Sequence, residues 1–241
     1  MTIATHRVTH RATHGAPSLA LLALEPCRAA IDMVNSLLST SPRRVGDGHP
    51  VLVLPGLGGG DLSTLRLRRS LDRAGFATSG WGLGLNRGPE GDFDQWLERL
   101  EPTVQALHDR DGRKVSLIGW SLGGIYAREL AKSVPHLVRQ VVTLGSPFGG
   151  INASNAQRAF KLLNGGRAQP ITEELEQRIR TDPPVPATAI YSRTDGVVAW
   201  QSCMLNESAY SRNIEISGTS HCGMGSHPQV LRAVVDRLTA V

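Results

Sequence analysis

Short apolar runs separated by longer amphipathic stretches recur along the chain after residue 49. Runs such as Val51 to Leu54 contain no polar position, which is typical of strands buried on both faces of a parallel sheet. The pattern predicts six strands, at residues 51–54, 76–81, 115–119, 138–144, 187–192 and 212–216. Because these strands alternate with helical stretches, we expect an α/β fold with a mostly parallel sheet flanked by helices.

The same pattern divides the chain into three parts. Residues 1–17 repeat Thr, His and Arg and contain few apolar positions, which predicts a disordered tail. Residues 18–48 are expected to form an N-terminal helix and linker, and residues 49–241 the α/β domain. A chain of 241 residues with 40% hydrophobic positions can bury a full core, so one enzyme-sized domain is expected.

The N-terminal helix is predicted to have one apolar face. We expect it to begin at Pro26, since proline is favoured at the first helical position, and its face to consist of Ala30, Ile31, Val34, Leu37 and Leu38. Such a face either packs on the protein or touches a membrane peripherally. The apolar run at residues 18–24 barely reaches the minimum length of the hydrophobic region of a signal peptide, and no cleavage site follows. A cytoplasmic or membrane-peripheral location is therefore favoured.

A candidate nucleophile lies in the sequence Gly119-Trp120-Ser121-Leu122-Gly123, between a predicted strand and a helical stretch. A serine in such a turn is strained, and glycines are needed two residues away on either side. Its hydroxyl then stands at a helix N-terminus, where free N–H groups can bind a developing negative charge. The pentapeptide also occurs in ordinary turns, but both flanking elements are present, so we interpret Ser121 as a nucleophile.

A serine nucleophile requires a base and an acid that orients the base. Asp195 follows the predicted strand 187–192, and His221 lies on a loop after the last strand, so both would reach the edge of the sheet that carries Ser121. An aspartate before glycine is more often part of a turn, and the chain has eight histidines. Only His221 combines a loop after a strand with a position beyond Ser121 and Asp195. We predict a triad in that chain order.

The loop after the first strand is rich in glycine, from Gly56 to Gly60. Such a loop brings backbone close to a reacting carbonyl, and we expect the N–H groups of Leu57 and Leu122 to form an oxyanion hole. A dinucleotide site has similar elements, but Asp61 stands where its third glycine is required, and its charge would repel a pyrophosphate. No P-loop or zinc-protease motif occurs, so no metal is expected.

Together these segments resemble the α/β-hydrolase superfamily, and within it the bacterial serine esterases and lipases. The resemblance covers roughly residues 48–241 and rests on the serine turn, the glycine-rich loop, residues 143–147, Asp195 and His221. It implies hydrolysis of carboxylic esters without a cofactor, on a sheet that lacks the first two strands of the full fold. Two positions depart from many lipases, since Pro55 and Phe148 each stand where those enzymes carry histidine.

A predicted insertion at residues 149–186 separates the fourth and fifth strands. Helical patterns occupy residues 153–163 and 171–179. Superfamily members often carry a lid here, so we expect a cap that shapes the acyl pocket, with the pocket-facing side chains Phe160, Leu162 and Leu163. The alternative is an ordinary surface insertion.

The net charge of +5 comes mainly from arginine, as the only lysines are Lys114, Lys132 and Lys161. No nucleic-acid motif and no interleaving of aromatic with basic residues accompanies the charge, so we interpret it as solvated surface and expect no nucleic-acid partner. No apolar run reaches 18 residues, so no spanning helix is expected. The sequence makes no prediction of oligomeric state.

We therefore predict a hydrolase of small-molecule or lipid esters that forms an acyl-enzyme on Ser121. The same triad would serve an acyltransferase, in which an alcohol replaces water. A non-catalytic binding module is disfavoured because all three triad residues are present.

The three cysteines are Cys27, Cys203 and Cys222. A disulfide between Cys203 and Cys222 would pin the loop of the base against the loop of the acid, leaving Cys27 free. The absence of a convincing signal segment argues for reduced thiols instead. We favour the disulfide, which would make a secreted protein the alternative to a cytoplasmic one.

Overall fold

The computed structural model describes residues 15–38, 43–151, 154–206 and 208–241. The predicted strands are β1 (Pro50–Leu54), β2 (Ala77–Gly80), β3 (Val115–Trp120), β4 (Val138–Leu144), β5 (Ala187–Tyr191) and β6 (Ser211–Glu215). They form one sheet in the order β2-β1-β3-β4-β5-β6, and all neighbouring strands are parallel. The predicted α/β fold with a parallel six-stranded sheet is confirmed.

Helices cover both faces of the sheet, which explains why β1 is apolar and buried along its whole length. The helices are α1 (Leu19–Leu38), α2 (Asp61–Ala74), α3 (Phe93–Glu98), α4 (Glu101–Asp111), α5 (Leu122–Ser133), α6 (Gln157–Asn164), α7 (Glu173–Arg180) and α8 (Pro228–Thr239). Leu52 and Leu54 pack in one layer, with side chains from α4 and α5, whereas Val51 and Val53 pack in the other, with side chains from α2 and α8.

The strand order reverses between β1 and β3, which lie next to each other although β2 separates them in the chain. In open α/β sheets, ligands bind in the crevice at the carboxyl ends of the strands where such a reversal occurs. The two loops that meet there are the glycine-rich loop after β1 and the serine turn after β3. The topology therefore brings both predicted parts of the serine site to one crevice.

The N-terminal helix differs from its prediction. It begins at Leu19 rather than at Pro26, because the Ser18 hydroxyl accepts the N–H of Leu21 at 3.3 Å and caps the earlier start. Its apolar face is turned to solvent, whereas Glu25 and Asp32 on the opposite face are buried. Residues 1–14 of the predicted tail lie outside the described residues. Within the described ranges, no helix is both long enough and apolar enough to span a bilayer.

Candidate active site

The serine turn has the strained backbone that the sequence predicts. Ser121 has φ 54° and ψ −120°, and it is the only residue other than glycine with a positive φ in the described part of the chain. Left-handed backbone costs free energy in a residue with a Cβ, so it persists only where the surroundings enforce it. Here the Ser121 N–H donates to the Leu144 carbonyl at 2.8 Å, and the Ser146 hydroxyl donates to the Ser121 carbonyl at 2.7 Å.

The flanking glycines are required by close backbone contacts. A Cβ on Gly123 would lie 2.6 Å from the carbonyl oxygen of Pro55, and a Cβ on Gly119 would overlap the backbone at Gly123. A Cβ on Gly124 would lie 2.5 Å from the Ser146 hydroxyl. Each contact is shorter than van der Waals packing allows, so helix α5 can approach β1 and β3 this closely only with glycine.

Asp195 and His221 form a buried hydrogen-bonded pair. His221 Nδ1 lies 2.7 Å from Asp195 Oδ2, and the two residues are 6% and 3% exposed. The other carboxylate oxygen of Asp195 accepts the N–H groups of Val197 and Val198 at 2.8 and 2.7 Å, which fixes its orientation. Burial lowers the pKa of His221, but the charge and hydrogen bond of Asp195, with the charge of Glu25, outweigh it and raise the pKa above its usual range.

Two contacts join this pair to the serine side of the site. The indole N–H of Trp120, next to the serine, donates to the His221 carbonyl at 3.1 Å. Gly145, which follows β4, sits against the pair, since a Cβ there would lie 3.1 Å from both Asp195 Oδ2 and His221 Nδ1. The predicted triad residues therefore lie on loops that touch one another at the same edge of the sheet.

The glycine-rich loop passes directly beside the serine. A Cβ on Gly56 would lie 3.1 Å from the Ser121 Cβ, so the loop can approach this closely only without a side chain. Leu57 follows Gly56 on this loop, and Leu122 is the first residue of α5, which places both predicted oxyanion donors beside Ser121.

Asn86 holds the glycine-rich loop in place and is fully buried. Its side-chain amide donates to the Pro55 carbonyl at 2.8 Å. Its backbone carbonyl accepts the Gly58 N–H at 2.8 Å, and its backbone N–H donates to the Gly59 carbonyl at 2.7 Å. Sequence reasoning missed this residue and Trp120. No motif marks Asn86, because it lies in the irregular segment after β2, whereas the position of Trp120 inside the serine turn could have drawn attention to it.

The predicted disulfide is wrong, because Cys203 and Cys222 are both free thiols. Cys203 ends a 3₁₀ turn, is buried beside Tyr191 and Val198, and directs its thiol to the Ala199 carbonyl at 3.8 Å. Cys222 is exposed. The two loops are instead joined by Glu25 of α1, whose carboxylate accepts the N–H groups of Gly196, His221 and Cys222.

The predicted insertion carries α6 and α7. Leu163 reaches the glycine-rich loop, where a Cβ on Gly58 would lie 3.3 Å from its Cδ1, and Phe160 lies against Gly88. Leu162 is 83% exposed and does not share this packing. Within the described ranges, no group of three or more His, Cys, Asp or Glu side chains is placed to hold a metal ion.

Comparisons with known proteins agree with this architecture. The chain is 36% identical over 111 residues to the mouse (Mus musculus) protein "Serine hydrolase BPHL", and this match covers 43% of the chain and 38% of the relative. The chain thus spans about two fifths of the length of the curated relatives it matches. The human (Homo sapiens) counterpart is 34% identical over the same length.

Solved structures share the fold at low sequence identity. The Bacillus licheniformis lipase BlEst2 aligns with a TM-score of 0.62 and 18% identity, covering 82% of this chain and 96% of the lipase. Aspergillus fumigatus lipase B aligns with a TM-score of 0.60 and 19% identity, covering 83% of this chain and 55% of that lipase. A sequence profile described as "Alpha/beta hydrolase family" matches residues 51–209. The chain belongs to the alpha/beta hydrolase family.

Proposed function

We propose that the protein hydrolyses carboxylic esters through a triad of Ser121, His221 and Asp195. The observation that carries the proposal is the buried Asp195–His221 hydrogen bond of 2.7 Å, beside a serine held at φ 54°. A buried carboxylate on Nδ1 fixes the imidazole tautomer that leaves Nε2 free to take a proton. The names of the relatives, which include a serine hydrolase and two lipases, support the same chemistry.

In the proposed reaction these residues take the usual roles of a serine hydrolase. His221 takes the Ser121 proton while the serine oxygen attacks the ester carbonyl, and the N–H groups of Leu57 and Leu122 stabilise the oxyanion. Collapse of the tetrahedral intermediate transfers the proton from His221 to the leaving alcohol and leaves an acyl-enzyme. Water then attacks the acyl-enzyme with His221 as base, releasing the acid and restoring Ser121.

The substrate is expected to be a small-molecule or lipid ester. Leu163 of α6 lies over the glycine-rich loop and Phe160 lies against Gly88 in the segment after β2, so we propose that the insertion acts as a cap on the acyl side of the crevice. The division into an N-terminal helix, a hydrolase domain and this cap is part of the same proposal.

A fluorophosphonate probe tests the proposal directly, because it phosphonylates only an activated serine. We expect stoichiometric labelling of the wild type on Ser121 and none of Ser121→Ala. Ser217→Ala is the matched control, since Ser217 is exposed on the loop before His221 and should not affect labelling. A folded wild type that stays unlabelled and inactive on p-nitrophenyl esters would contradict the triad. Product analysis with an added alcohol separates hydrolysis from acyl transfer.

A further inference from the structure

Helix α1 turns its charged side chains towards the catalytic loops. Glu25, Arg28 and Asp32 lie on one face of the helix, and Glu25 and Asp32 are only 2% and 4% exposed. Charged side chains are almost never buried this completely without partners. The partners here are all on the two loops that carry Asp195 and His221.

Glu25 forms hydrogen bonds to both loops. Its Oε1 accepts the N–H of Gly196 at 2.8 Å, next to Asp195, and the N–H of His221 itself at 3.0 Å. Its Oε2 accepts the N–H of Cys222 at 2.9 Å. One carboxylate therefore fixes the backbone at the acid and at the base, whose side chains must stay 2.7 Å apart for the pair to work.

Helix α1 packs so closely against both loops that a glycine is required at each contact. A Cβ on Gly196 would lie 2.5 Å from the carbonyl carbon of Leu21, and a Cβ on Gly223 would overlap the Asp32 carboxylate. Arg28 donates to the Thr194 carbonyl at 2.6 Å and to the Thr219 carbonyl at 2.8 Å, so it also spans both loops. Asp32 differs, because its hydrogen bonds go to Ser220 and Thr219 on the His221 loop and its other carboxylate oxygen lies 3.9 Å from His227 Nε2 at the start of α8, so it does not reach the Asp195 loop.

We propose that Glu25 is a positioning residue for the Asp195–His221 pair, acting as a carboxylate link between the two catalytic loops. The inference rests on the proposed function. Without the link, three N–H groups beside Asp195 and His221 lose their acceptor, so the backbone that carries the pair can shift, although Arg28 still joins the two loops through the Thr194 and Thr219 carbonyls. A misplacement of about 1 Å at a catalytic group can reduce the rate by about 100-fold.

Glu25→Gln breaks the link with minimal change of shape, since the amide keeps one acceptor and places an NH₂ group against a backbone N–H. We expect kcat to fall by about 10- to 100-fold while KM changes by less than about threefold. Asp32→Asn is the matched control, because it neutralises a second buried carboxylate of the same helix face without touching the Asp195 loop. Its loss of kcat should stay within about threefold.

The pH profile separates positioning from a general loss of structure. The charged groups facing His221 are Asp195 and Glu25, and the negative charge of Glu25 helps to raise the His221 pKa. Glu25→Gln should move the acid limb of kcat/KM to lower pH, whereas Asp32→Asn should leave that limb in place. Glu25→Asp keeps the negative charge, so the acid limb of kcat/KM should stay at the wild-type pH. Its side chain is too short to reach both loops, so kcat should still fall.

These outcomes separate failure of the link from failure of the triad. A wild type that labels on Ser121, together with a Glu25→Gln variant that keeps kcat within threefold or loses no more than Asp32→Asn, would overturn the positioning role alone. If Glu25→Gln does not fold, Gly196→Ala tests the same contact by pushing Leu21 away from the Asp195 loop, and unchanged kcat there would also overturn it.

The outer face of α1 is apolar and exposed, and it supports a second inference that does not depend on Glu25. Leu24, Ile31, Val34, Leu37 and Leu38 are each more than half exposed on this face, the reverse of a helix that packs its apolar side inward. Beside it, a cavity of about 1010 Å³ between α1, α2 and α8 includes Met33 and Leu37 of the helix. Among the described residues, the charged side chains that line the cavity are one aspartate, Asp236, and the arginines Arg43, Arg66, Arg69, Arg73 and Arg232.

We infer that this surface binds an anionic lipid bilayer, because apolar side chains beside a cluster of arginines match acyl chains beneath negative headgroups. The protein should sediment with vesicles of phosphatidylcholine and phosphatidylglycerol but not with phosphatidylcholine alone, and added salt should weaken the binding. Ile31→Ser with Val34→Ser, or Arg69→Gln with Arg73→Gln, should each reduce the bound fraction at least about fivefold. Tyr210→Ser, at a position that is 73% exposed elsewhere on the surface, is the control.

Two results would overturn the lipid surface. One is equal sedimentation with both kinds of vesicle, or equal binding by all variants. The other is a dimer in solution that Ile31→Ser converts to a monomer, since the apolar face would then be covered by a second copy.

Discussion

The serine turn and the Asp195–His221 pair are held in place by different means. Around Ser121 the contacts come from the residues beside it in sequence and from the strands next to β3, with glycines where a Cβ would overlap backbone. Around the Asp195–His221 pair, the contacts come from residues that are distant in sequence. Glu25 and Arg28 belong to a helix more than 150 residues earlier in the chain. The proposed nucleophile is thus placed by local backbone geometry, and the proposed base by a buried polar network.

The difference predicts different responses to mutation. A strained turn between packed elements has no alternative conformation nearby, so changes there should affect folding as well as activity. A polar network can lose one member and leave the fold intact, so changes there should mainly affect the rate. The following substitutions test this contrast.

Removal of either reacting group should have the largest effect. Ser121→Ala and His221→Ala should each lower kcat by about 10⁴- to 10⁶-fold with little change in KM, because the two residues act as one unit. Single-turnover kinetics on a p-nitrophenyl ester measures this. Retention of more than about a tenth of the activity by Ser121→Ala would exclude the covalent mechanism.

Asp195→Asn should cost less, about 10³- to 10⁴-fold in kcat, because the serine and imidazole remain. The sign of the pH effect follows from the raised pKa of His221, whose neutral form is active. Loss of the Asp195 charge lowers that pKa, so the acid limb of kcat/KM should move to lower pH. An unmoved or upward-shifted limb would show that Asp195 does not interact with the base.

Gly123→Ala should disturb the serine side through the backbone. The added Cβ would lie 2.6 Å from the Pro55 carbonyl oxygen, so α5 must move away from β1. We expect a loss of about 1–3 kcal/mol in the free energy of unfolding, together with about 100-fold lower kcat in the folded protein. Urea unfolding followed by fluorescence measures the first quantity. A variant of wild-type stability would show that the turn is less constrained than the contacts indicate.

The smallest effect should come from the cap. Leu163→Ala removes the side chain that lies over Gly58, and we expect a change of a few-fold in the preference for long over short acyl chains, with short-ester hydrolysis preserved. A panel of p-nitrophenyl esters from acetate to palmitate gives the preference, with Leu162→Ala as the exposed neighbour for comparison. Identical chain-length profiles for the wild type, Leu163→Ala and Leu162→Ala would show that the insertion does not shape the acyl site.

The sequence by itself determined those features whose cause is local. Apolar runs predicted the six strands, and the spacing of glycines around Ser121 predicted a turn in which only small residues fit. Chain order predicted which aspartate and histidine would meet, because the carboxyl ends of parallel strands share one edge. The first two signals are each contained in a few consecutive residues, and the third requires only the order of the strands along the chain.

Only the tertiary structure decided how the pair and the glycine-rich loop are held. The positions of Cys203 and Cys222, each shortly after one member of the pair, favoured a disulfide between the two loops, but the loops are joined by Glu25, and the glycine-rich loop is fixed by Asn86. The outward apolar face of α1 was equally invisible, since periodicity shows that a helix has two faces without showing which one is buried. These features depend on which distant backbone N–H groups need an acceptor, and that is known only once the chain has folded.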